Sequence, residues 1–501
     1  MFGGESVTAR PTRRLPIVRL AALTAAALAI HGYHLGVDDG EIYVPAARKL
    51  LNPRLYPFAP EFFLSHAHLS LFSPILALTA RVMHLSIDWT ILFWYIATLF
   101  AMLTACWKLA FACFDSPRAR WSSVLIMAAV VSMPATNTGL SLMDPYLSAR
   151  SFSTPLTIFV LACILEANYI SAAIGVVITG VIHPQMVVYL VFLIGVMWIM
   201  QRSQRKTDSR AESFASFALI PGGFHPASAA GPYREALYSR EFYFIATWHW
   251  YHWLGMLAPL AFLCWFWKGN FRGTRSGFSR ISFALIPFGL LSIAAALIFA
   301  TSHAFDMFAR TQPLRTFHLI TIVFVLLLGG VMGEFAGRDR AWLIPAITVA
   351  LAGGMFYVQR DAYPNSPHIE WPSASSPNAW VNTLLWIRAN TPDNAVFAVD
   401  SRYFEENGVD QHGFRALSAR SDLADYYKDG GVVAIFPFLA PEWKQMTNAT
   451  YGLNQFTRER FLQLRRLYPE VDWTVVRGVP PSGLECPYNK DSFAVCRIPP
   501  A

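Results

Sequence analysis

The sequence predicts a polytopic α-helical membrane protein with about eleven transmembrane helices and a small C-terminal α/β domain. Two features of its composition indicate this class. Of the 501 residues, 54% are hydrophobic and only 14% are charged. The basic residues behind the net charge of +8 lie in short stretches between apolar segments and do not form one broad patch. This arrangement is typical of membrane orientation signals and argues against nucleic acid as a partner.

The membrane segments are predicted from apolar runs, because a helix needs about 20 mostly apolar residues to cross a bilayer. The candidate spans lie at 15–33, 89–113, 121–135, 154–169, 170–183, 185–200, 212–224, 252–267, 281–300, 316–333 and 341–358. The segment at 212–224 contains "IPGGF", so a re-entrant segment is the alternative there. Arg10, Arg13 and Arg14 precede the first span, and the spans that follow favour an uncleaved signal anchor over a removed secretory peptide.

The charges of the loops predict the orientation of the membrane domain, 1–358, through the positive-inside rule. With a cytoplasmic N-terminus, the cytoplasmic loops are net basic: "SPRAR" (116–120), "QRSQRKTDSR" (201–210), "KGNFRGTRSGFSR" (268–280) and "GRDR" (337–340). The loops expected to face outward are 34–88, 136–153, 225–251 and 301–315, together with the tail. The apolar stretch 68–86 would invert every later loop if it crossed the bilayer. We therefore expect it to be an interfacial helix within the first outward loop.

The tail changes character after the last span. Residues 359–378 form a Pro/Ser-rich linker, and 379–501 alternate between apolar patterns in the manner of a small α/β domain. We expect helices at 379–390 and 457–470, and strands at 395–400, 432–438, 472–478 and 493–498. Cys486 and Cys496 are near enough in sequence to close a short loop. A disulfide there requires an oxidising compartment, and two free thiols are the alternative.

The candidate site starts with "DDGE", directly after the first span. Asp38, Asp39 and Glu41 lie at the membrane edge, where positioned charges are costly and are candidates for function. The sequence that follows is helical in character. A purely structural role, with Asp39 or Gly40 starting this helix, is therefore the alternative for the acidic pair.

Further candidates come from the other outward loops. In "MDPYLSARSFS", Asp144 and Arg150 lie near the outer end of a span, and "VIHPQM" places His183 and Gln185 at an apparent kink. The loop "SHAFDMFARTQPLR" offers four more ionisable residues: His303, Asp306, Arg310 and Arg315. The ordinary interpretations are solvated loop charges and, for His183, a packing residue. The aromatic cluster "WHWYHW" at 248–253 is typical of an interfacial belt.

Motifs of several other enzyme classes are absent from the sequence. It contains no GxGxxG, no phosphate-binding P-loop, no HExxH and no CxxC pair. Nucleotide-driven motors and the common zinc enzymes therefore have no support. Metal binding stays open, because His34, Asp38, Asp39 and Glu41 offer suitable ligand atoms for a divalent cation, but at no diagnostic spacing.

The pattern as a whole resembles the C-type integral-membrane glycosyltransferases, the GT-C superfamily, which includes protein O-mannosyltransferases and aminoarabinose transferases. The likeness covers the architecture of the whole chain, and it is specific in sequence around "HLGVDDGEIYVPAARKLL". The tail segments "WIRANTPDNAVFAVD" and "FRALSARSDLADYYKDGG" also look like uncharacterised bacterial proteins of this type. The resemblance implies a multi-pass protein of the bacterial inner membrane with an extracytoplasmic C-terminal domain.

The same resemblance implies a function. In such enzymes an acidic residue of the first loop is the catalytic base or a metal ligand, which corresponds by position to Asp38 or Asp39. The chain has Asp-Asp where the family usually has Asp-Glu, and it lacks the Trp-Trp-Asp tripeptide of oligosaccharyltransferases. Transfer to asparagine is accordingly disfavoured.

The expected reaction is inverting transfer of a sugar from a polyprenyl phosphate to an acceptor of unknown identity. A phosphate is already a good leaving group, so one carboxylate base suffices and arginines stabilise the departing charge. The residues expected to bind substrate or phosphate are Arg150, Arg310, Arg315, His183, Gln185, Asp144 and Glu41. The alternatives are a transporter or flippase, which predicts internal inverted repeats, and a catalytically inactive membrane scaffold.

Overall fold

The computed structural model describes residues 15–205, 229–301, 305–337 and 339–500. Several sequence-based predictions lie outside these ranges. They are the candidate span at 212–224, most of the basic loop 201–210, the N-terminal arginines before residue 15, and His303.

The first two thirds of the described chain are mostly helical, and a helix overlaps each of the other ten predicted spans. The helices before the gap are α1 Ile17–His31, α2 Gly40–Leu51, α3 Glu61–Ala67, α4 Phe72–Met83, α5 Ile87–Cys113, α6 Pro117–Val130, α7 Ala149–Leu165, α8 Tyr169–Ile182 and α9 Pro184–Arg205. Those that follow it are α10 Gly231–Tyr238, α11 Trp250–Lys268, α12 Ser276–Phe299, α13 Asp306–Ala309, α14 Thr316–Ala336 and α15 Leu343–Ala362.

Within the described residues, five helical segments are long and apolar enough to cross a membrane. They are Ile87–Cys113, Pro184–Arg202, Ser276–Phe299, Asp306–Ala336 and Leu343–Ala362. The pair α3 and α4, bent by 92°, makes a sixth if it is counted as one broken span. The shorter apolar helices are α1, α7 and α8. The protein thus has the apolar helices of a membrane protein, whereas the full number of eleven spans stays a prediction.

Close helix packing holds this part together. Helices α6 and α14 meet through the small residues of "GGVMG" near the end of α14. A Cβ atom at Gly330 would collide with the Phe114 ring, and one at Gly333 would collide with Ser122. Small residues permit such close approach of helix backbones, which is how membrane helices associate without a hydrophobic driving force between them.

Two of the loops predicted to be cytoplasmic meet at one end of the helices. The Asp115 amide donates to the Gly273 carbonyl at 2.8 Å, and the Arg275 guanidinium pairs with the Asp115 carboxylate at 2.6 Å. Phe114 and Thr274 form a β-bridge beside them. The basic loops 116–120 and 268–280 are therefore neighbours, as loops on the same side of a membrane should be.

The predicted interfacial helix at 68–86 corresponds to α4, with its apolar residues Leu78, Val82 and Met83 exposed. The short helix α3 precedes it at a sharp angle. Whether α4 lies on a membrane interface or forms part of a broken span stays a prediction.

The C-terminal domain combines helices with a sheet, as predicted, and the sheet has five strands in the described residues. Its helices are α16 Ala379–Asn390, α17 Phe414–Ser418, α18 Lys428–Ile435, α19 Ala440–Thr450 and α20 Arg458–Leu467. The strands are β1 Val396–Ala398, β2 Ser421–Asp422, β3 Val471–Arg477, β4 Glu485–Lys490 and β5 Phe493–Arg497. The sheet order is β2-β1-β3-β5-β4, with parallel pairs among β2, β1 and β3 and antiparallel pairs among β3, β5 and β4. The disulfide between Cys486 and Cys496 is formed and joins β4 to β5.

One predicted element of this domain is wrong. Residues 432–438 were expected to form a strand because "VVAIF" is rich in β-branched and aromatic residues. Instead, α18 runs through Lys428–Ile435. The Asp425 carboxylate accepts hydrogen bonds from the amides of Lys428 and Asp429, which satisfies donors of the first helical turn. Buried packing of Val432 and Val433 then uses the same apolar residues in a helix.

The first loop packs tightly against the C-terminal domain. The Gly413 amide donates to the Gly36 carbonyl at 2.9 Å, and Val37 forms a β-bridge with His412. The buried Tyr56 hydroxyl donates to the Arg415 carbonyl at 3.0 Å. This contact brings α18 over the acidic residues that follow the first span.

Candidate functional site

A cavity of about 210 Å³ lies between the helical part and the C-terminal domain. All four loops predicted to face outward contribute to its wall, and so does the tail. One representative of each loop is Asp39, Arg150, Arg240 and Arg315, and Lys428 comes from the tail. Segments that sequence reasoning assigned to one side of a membrane therefore converge on one cavity. Its volume is below the roughly 300–1,000 Å³ of pockets for drug-sized ligands, so it suits a small polar group.

Asp38 lies on the cavity wall in a strained conformation. Its φ of 53° is in the left-handed region, which Asp adopts more readily than most residues. The carboxylate accepts a hydrogen bond from the Tyr146 hydroxyl at 3.0 Å and forms a close ion pair with Lys428. Both partners hold Asp38 in place, so its carboxylate is already engaged.

Asp39 occupies the N-cap position of α2, but its side chain makes no capping hydrogen bond. Its Oδ2 accepts from Arg150 Nη1 at 2.9 Å, and its Oδ1 lies 3.6 Å from Lys428 Nζ, outside hydrogen-bond distance. Among the described residues no donor binds Oδ1. The simple capping role is thus excluded for this side chain, and Oδ1 is within ion-pair distance of Lys428 but accepts no hydrogen bond from the described residues.

Arg150 is fixed between two carboxylates. It donates to Asp39 on one side and, through Nη2, to Asp144 Oδ2 at 2.8 Å on the other. Asp144 is buried and lies behind the cavity wall, so it orients Arg150 and is not a direct ligand. The capping box of α7, formed by Ser148 and Ser151, sets the helix start that carries Arg150.

His183 and Gln185 line the cavity, and their role in binding substrate stays a prediction. His183 ends α8, where its amide donates to the Thr179 carbonyl at 2.8 Å. The Gln185 side chain accepts from Arg315 Nη1 at 3.3 Å, while Arg315 Nε is buried with no hydrogen-bond partner in the described chain. Arg315 therefore retains a donor for a ligand.

Arg240 lines the cavity and was missed in the sequence. It is buried, and its Nε and Nη2 have no hydrogen-bond partner among the residues described. The guanidinium lies over the Tyr427 ring, 4.8 Å from its centroid. A Cβ atom at Gly431 would lie 3.1 Å from Arg240 Nη2, so the absence of a side chain there leaves room for the arginine. Arg240 lies in the loop 225–251, and no sequence pattern there predicted its burial.

Lys428 was also missed. It begins α18, and the wrong assignment of a strand to the following residues hid the fact that "KDGG" opens a helix. The available signal was the charged segment "DYYKDGG" directly before the apolar "VVAIF". Its side chain enters the cavity and contacts the Asp38 carboxylate.

Several predicted residues, Asp306 among them, do not line the cavity. Glu41 is fully buried and accepts hydrogen bonds from the amides of Arg415 and Ala416 and from Arg415 Nε, so it joins the first loop to the C-terminal domain. Arg310 is not part of the cavity wall. His34 is buried against Glu370, 3.2 Å from its carboxylate. Glu41 and Arg310 are therefore corrected as direct ligands of an occupant of this cavity.

Metal binding finds no built site in the described part of the chain. No group of three or more His, Cys, Asp or Glu side chains there has a geometry that could hold an ion. The two cavity carboxylates are instead paired with Lys428 and Arg150. Among the described residues, the cavity wall carries four basic side chains, Arg150, Arg240, Arg315 and Lys428, against two carboxylates. This excess of positive charge suits an anionic occupant.

In comparisons with known proteins, no protein-family model matches the chain, and no curated protein is significantly similar to it.

Proposed function

We propose that the protein is an integral-membrane glycosyltransferase of the GT-C type, which transfers a sugar from a polyprenyl phosphate to an acceptor with inversion. The observation that carries this proposal is the cavity in which two carboxylates face four cations, two of which have unpaired buried donors. Unpaired buried guanidinium groups are costly, and an anionic ligand relieves that cost.

The donor phosphate would bind to Arg240 and Arg315. Their unpaired nitrogens supply charge-assisted hydrogen bonds, and the forked guanidinium matches phosphate geometry. These bonds strengthen as the phosphate gains charge in the transition state. The aromatic side chains of Tyr43, Phe242, Tyr243 and Tyr427 supply apolar wall for the sugar. The small volume leaves room for the sugar phosphate alone, so the polyprenyl chain extends outside, along the apolar helices.

Asp39 is the base in this proposal. Its Oδ1, which accepts no hydrogen bond from the described residues, accepts the proton of the acceptor hydroxyl while the acceptor oxygen attacks the anomeric carbon. The bond from that carbon to the phosphate oxygen breaks, and its electron pair leaves with the phosphate. A single displacement of this kind inverts the anomeric centre. Asp38 cannot serve equally well, because Lys428 and Tyr146 already bind it.

The sidedness of the site belongs to the same proposal. All loops predicted to face outward meet at the cavity, and two basic loops meet elsewhere. The disulfide between Cys486 and Cys496 is typical of an oxidising compartment. These features support a bacterial inner-membrane protein with a cytoplasmic N-terminus, about eleven spans and an extracytoplasmic C-terminal domain.

The test is transfer by the purified full chain from polyprenyl-phosphate sugars to candidate acceptors. We expect a covalent glycosylated product with wild type and a loss of kcat of about 10²- to 10⁴-fold in Asp39→Asn. The exposed Asp393→Asn provides a matched carboxylate control with wild-type activity. Transfer that continues at more than a tenth of the wild-type rate in both Asp38→Asn and Asp39→Asn contradicts the assignment of the base.

The two alternatives give different results in the same preparation. A transporter or flippase moves the lipid-linked sugar across proteoliposome membranes and forms no covalent product. If the protein is a scaffold, the double variant that lacks Asp38 and Asp39 still performs the cellular role. It also still retains a stable partner in pulldown. Either result in the absence of transfer contradicts the proposed function.

A further inference from the structure

Lys428 of the C-terminal domain lies beside the acidic pair, Asp38 and Asp39. Lys428 forms a close ion pair with Asp38 and lies 3.6 Å from Asp39 Oδ1, and it is the cavity's only lysine among the described residues. Asp38 and Asp39 are adjacent in sequence and share one cavity. Two carboxylates so close raise each other's affinity for protons unless cations separate their charges. Arg150 forms an ion pair with Asp39, and Lys428 forms the close ion pair with Asp38.

A buried junction fixes the position of Lys428. Its amide donates to Asp425 Oδ1 at 2.5 Å, and the next residue, Asp429, receives two hydrogen bonds from Arg415 Nη2 at 2.7 Å. Arg415 Nε in turn donates to Glu41 Oε1 at 2.9 Å. The first loop is therefore linked to the start of α18 twice, directly from Asp38 to Lys428 and indirectly from Glu41 through Arg415 to Asp429. This double attachment places the ammonium between the helical part and the C-terminal domain.

Burial lowers the pKa of Lys428 to about 7, and the carboxylate beside it acts in the opposite direction by favouring the ammonium. Other ionisable and charged groups also face the acidic pair or stand behind its partners. They are Tyr43, His66, Asp144, Tyr146, Arg150, His183, Arg240, Tyr243, Arg315 and Tyr427. In the described residues, only Lys428 and, from this list, Tyr146 are within hydrogen-bond or ion-pair distance of the Asp38 carboxylate.

We propose that Lys428 is a positioning residue of the site, which neutralises Asp38 and thereby leaves Asp39 as the single carboxylate available as a base. This proposal rests on the proposed function for its catalytic meaning, but the charge arrangement stands apart from it. The division of labour also explains why two adjacent acids occupy one cavity: one receives the C-terminal domain, and the other faces the acceptor.

The charge arrangement is tested without any substrate. Carbodiimides react with protonated carboxyl groups, so the pH at which labelling of Asp38 and Asp39 reaches half its maximum reports their affinity for protons. The experiment compares the full chain with Lys428→Met by mass spectrometry of the peptide that contains both. We expect the half-labelling pH of the pair to be at least one unit higher in Lys428→Met. The charge-matched double variant Asp38→Asn/Lys428→Met should return the half-labelling pH of Asp39 to within about 0.3 units of wild type.

Controls separate this effect from misfolding. Lys444→Met removes another lysine that pairs with a carboxylate, that of Glu235 at 2.7 Å, in a different part of the domain, and should leave the labelling unchanged. Glu41 is buried and lies in the same peptide, so its resistance to labelling reports an intact junction in each variant. Identical half-labelling pH values for wild type and Lys428→Met, with Glu41 still protected, overturn the proposal.

Kinetics supplies the second readout. We expect Lys428→Met to lose at least tenfold in kcat with less than a threefold change in KM, and the acid limb of its pH profile to move to higher pH. The double variant should recover at least a third of the wild-type kcat. A double variant as inactive as Asp39→Asn contradicts the assignment of the two carboxylates. If the chain shows no transfer at all but the labelling shifts as expected, the proposed function fails while the role of Lys428 stands.

Discussion

Two clusters of charged side chains lie on either side of the first loop, and they have opposite charge balances. In the cavity, four cations face Asp38 and Asp39, and guanidinium nitrogens remain unpaired. In the junction between the first loop and the C-terminal domain, four carboxylates surround Arg415. Among the described residues, Arg240 and Arg315 keep unpaired buried donors in the cavity, whereas in the junction it is the two carboxyl oxygens of Asp422 that accept no hydrogen bond.

The difference shows how neighbouring residues of one type acquire separate roles. Asp39 and Glu41 are two positions apart, yet one faces the cavity and the other is fully buried. In the junction, burial outweighs Arg415 and raises the pKa of Asp422 well above its ordinary value. Burial thus favours the neutral carboxyl in the junction, whereas the unpaired guanidinium donors of the cavity suit an anionic ligand.

The largest effect on stability is expected for Arg415→Met. This change removes the cation that binds Glu41 and Asp429 and leaves buried carboxylates uncompensated. We expect a loss of about 3 to 5 kcal/mol in the free energy of unfolding, measured by denaturation of the detergent-purified chain. Arg402→Met, which removes a partly exposed pair with Glu405, should cost less than about 1 kcal/mol. Equal stabilities of the two variants would show that the junction does not hold the domains together.

A separate ion pair, between Glu370 of the linker and His412, is expected to stabilise the protein at neutral pH and less in acid. His412 Nε2 lies 2.8 Å from Glu370, and the Leu35 amide donates to the same carboxylate at 2.9 Å. Burial opposes ionisation, but His412 and the hydrogen bonds outweigh it and lower the pKa of Glu370 to about 2. A carboxyl with a lowered folded pKa stabilises the fold above its ordinary value of 4.5 and loses this contribution as pH falls toward 2.

The expected contribution of Glu370 at neutral pH is about 3 kcal/mol. Unfolding measured between pH 5 and pH 2 should show wild type losing stability more steeply than Glu370→Gln. The variant is expected to be less stable than wild type at pH 6 and to approach it in acid. Parallel pH profiles of the two chains would exclude a stabilising role for the charge.

A smaller effect, on binding alone, is expected for Arg240→Gln. The substitution removes charge-assisted hydrogen bonds worth about 1.5 to 3 kcal/mol, so affinity for a short polyprenyl phosphate should fall about tenfold to a hundredfold. Arg310 lies outside the cavity wall, so Arg310→Gln should bind the polyprenyl phosphate as wild type does. Thermal unfolding of both variants checks that the fold is retained. Equal losses of affinity would place the phosphate somewhere other than beside Arg240.

The smallest effect is expected for Asp422→Asn. Because burial raises the pKa of Asp422 well above its ordinary value and so favours the neutral carboxyl, we expect an amide of the same shape to change the charge of the junction little. We expect a change of less than about 1 kcal/mol in the free energy of unfolding, against the large cost of Arg415→Met. A loss of more than about 2 kcal/mol in Asp422→Asn would mean that the carboxylate is ionised and that the junction resembles the cavity more closely than proposed.

Local features of the sequence predicted much of this architecture. Apolar run length located the ten described helical segments, and loop charge grouped the loops that meet at the cavity. The acidic pair and its partner Arg150 were also found, because charge at a membrane edge is unusual whatever the fold. These signals depend on residues near one another in the chain.

The missed features depend on long-range contacts. The burial of Glu41 results from its contact with Arg415, which lies more than 370 residues further along the chain. Lys428 was hidden because "VVAIF" has strand propensity, while the capping carboxylate of Asp425 and tertiary packing favour a helix. Local propensity could not decide between these outcomes, and the partners of a buried charge are set only by the fold.

The proposed function requires the cavity to recognise the phosphate of a lipid-linked sugar. The most direct measurement compares binding of a short polyprenyl phosphate and of the matching polyprenol to the purified full chain. We predict that wild type binds the phosphate at least tenfold more tightly than the alcohol, and that Arg240→Gln/Arg315→Gln loses this preference. Equal affinity of wild type for the phosphate and the alcohol would contradict the claim.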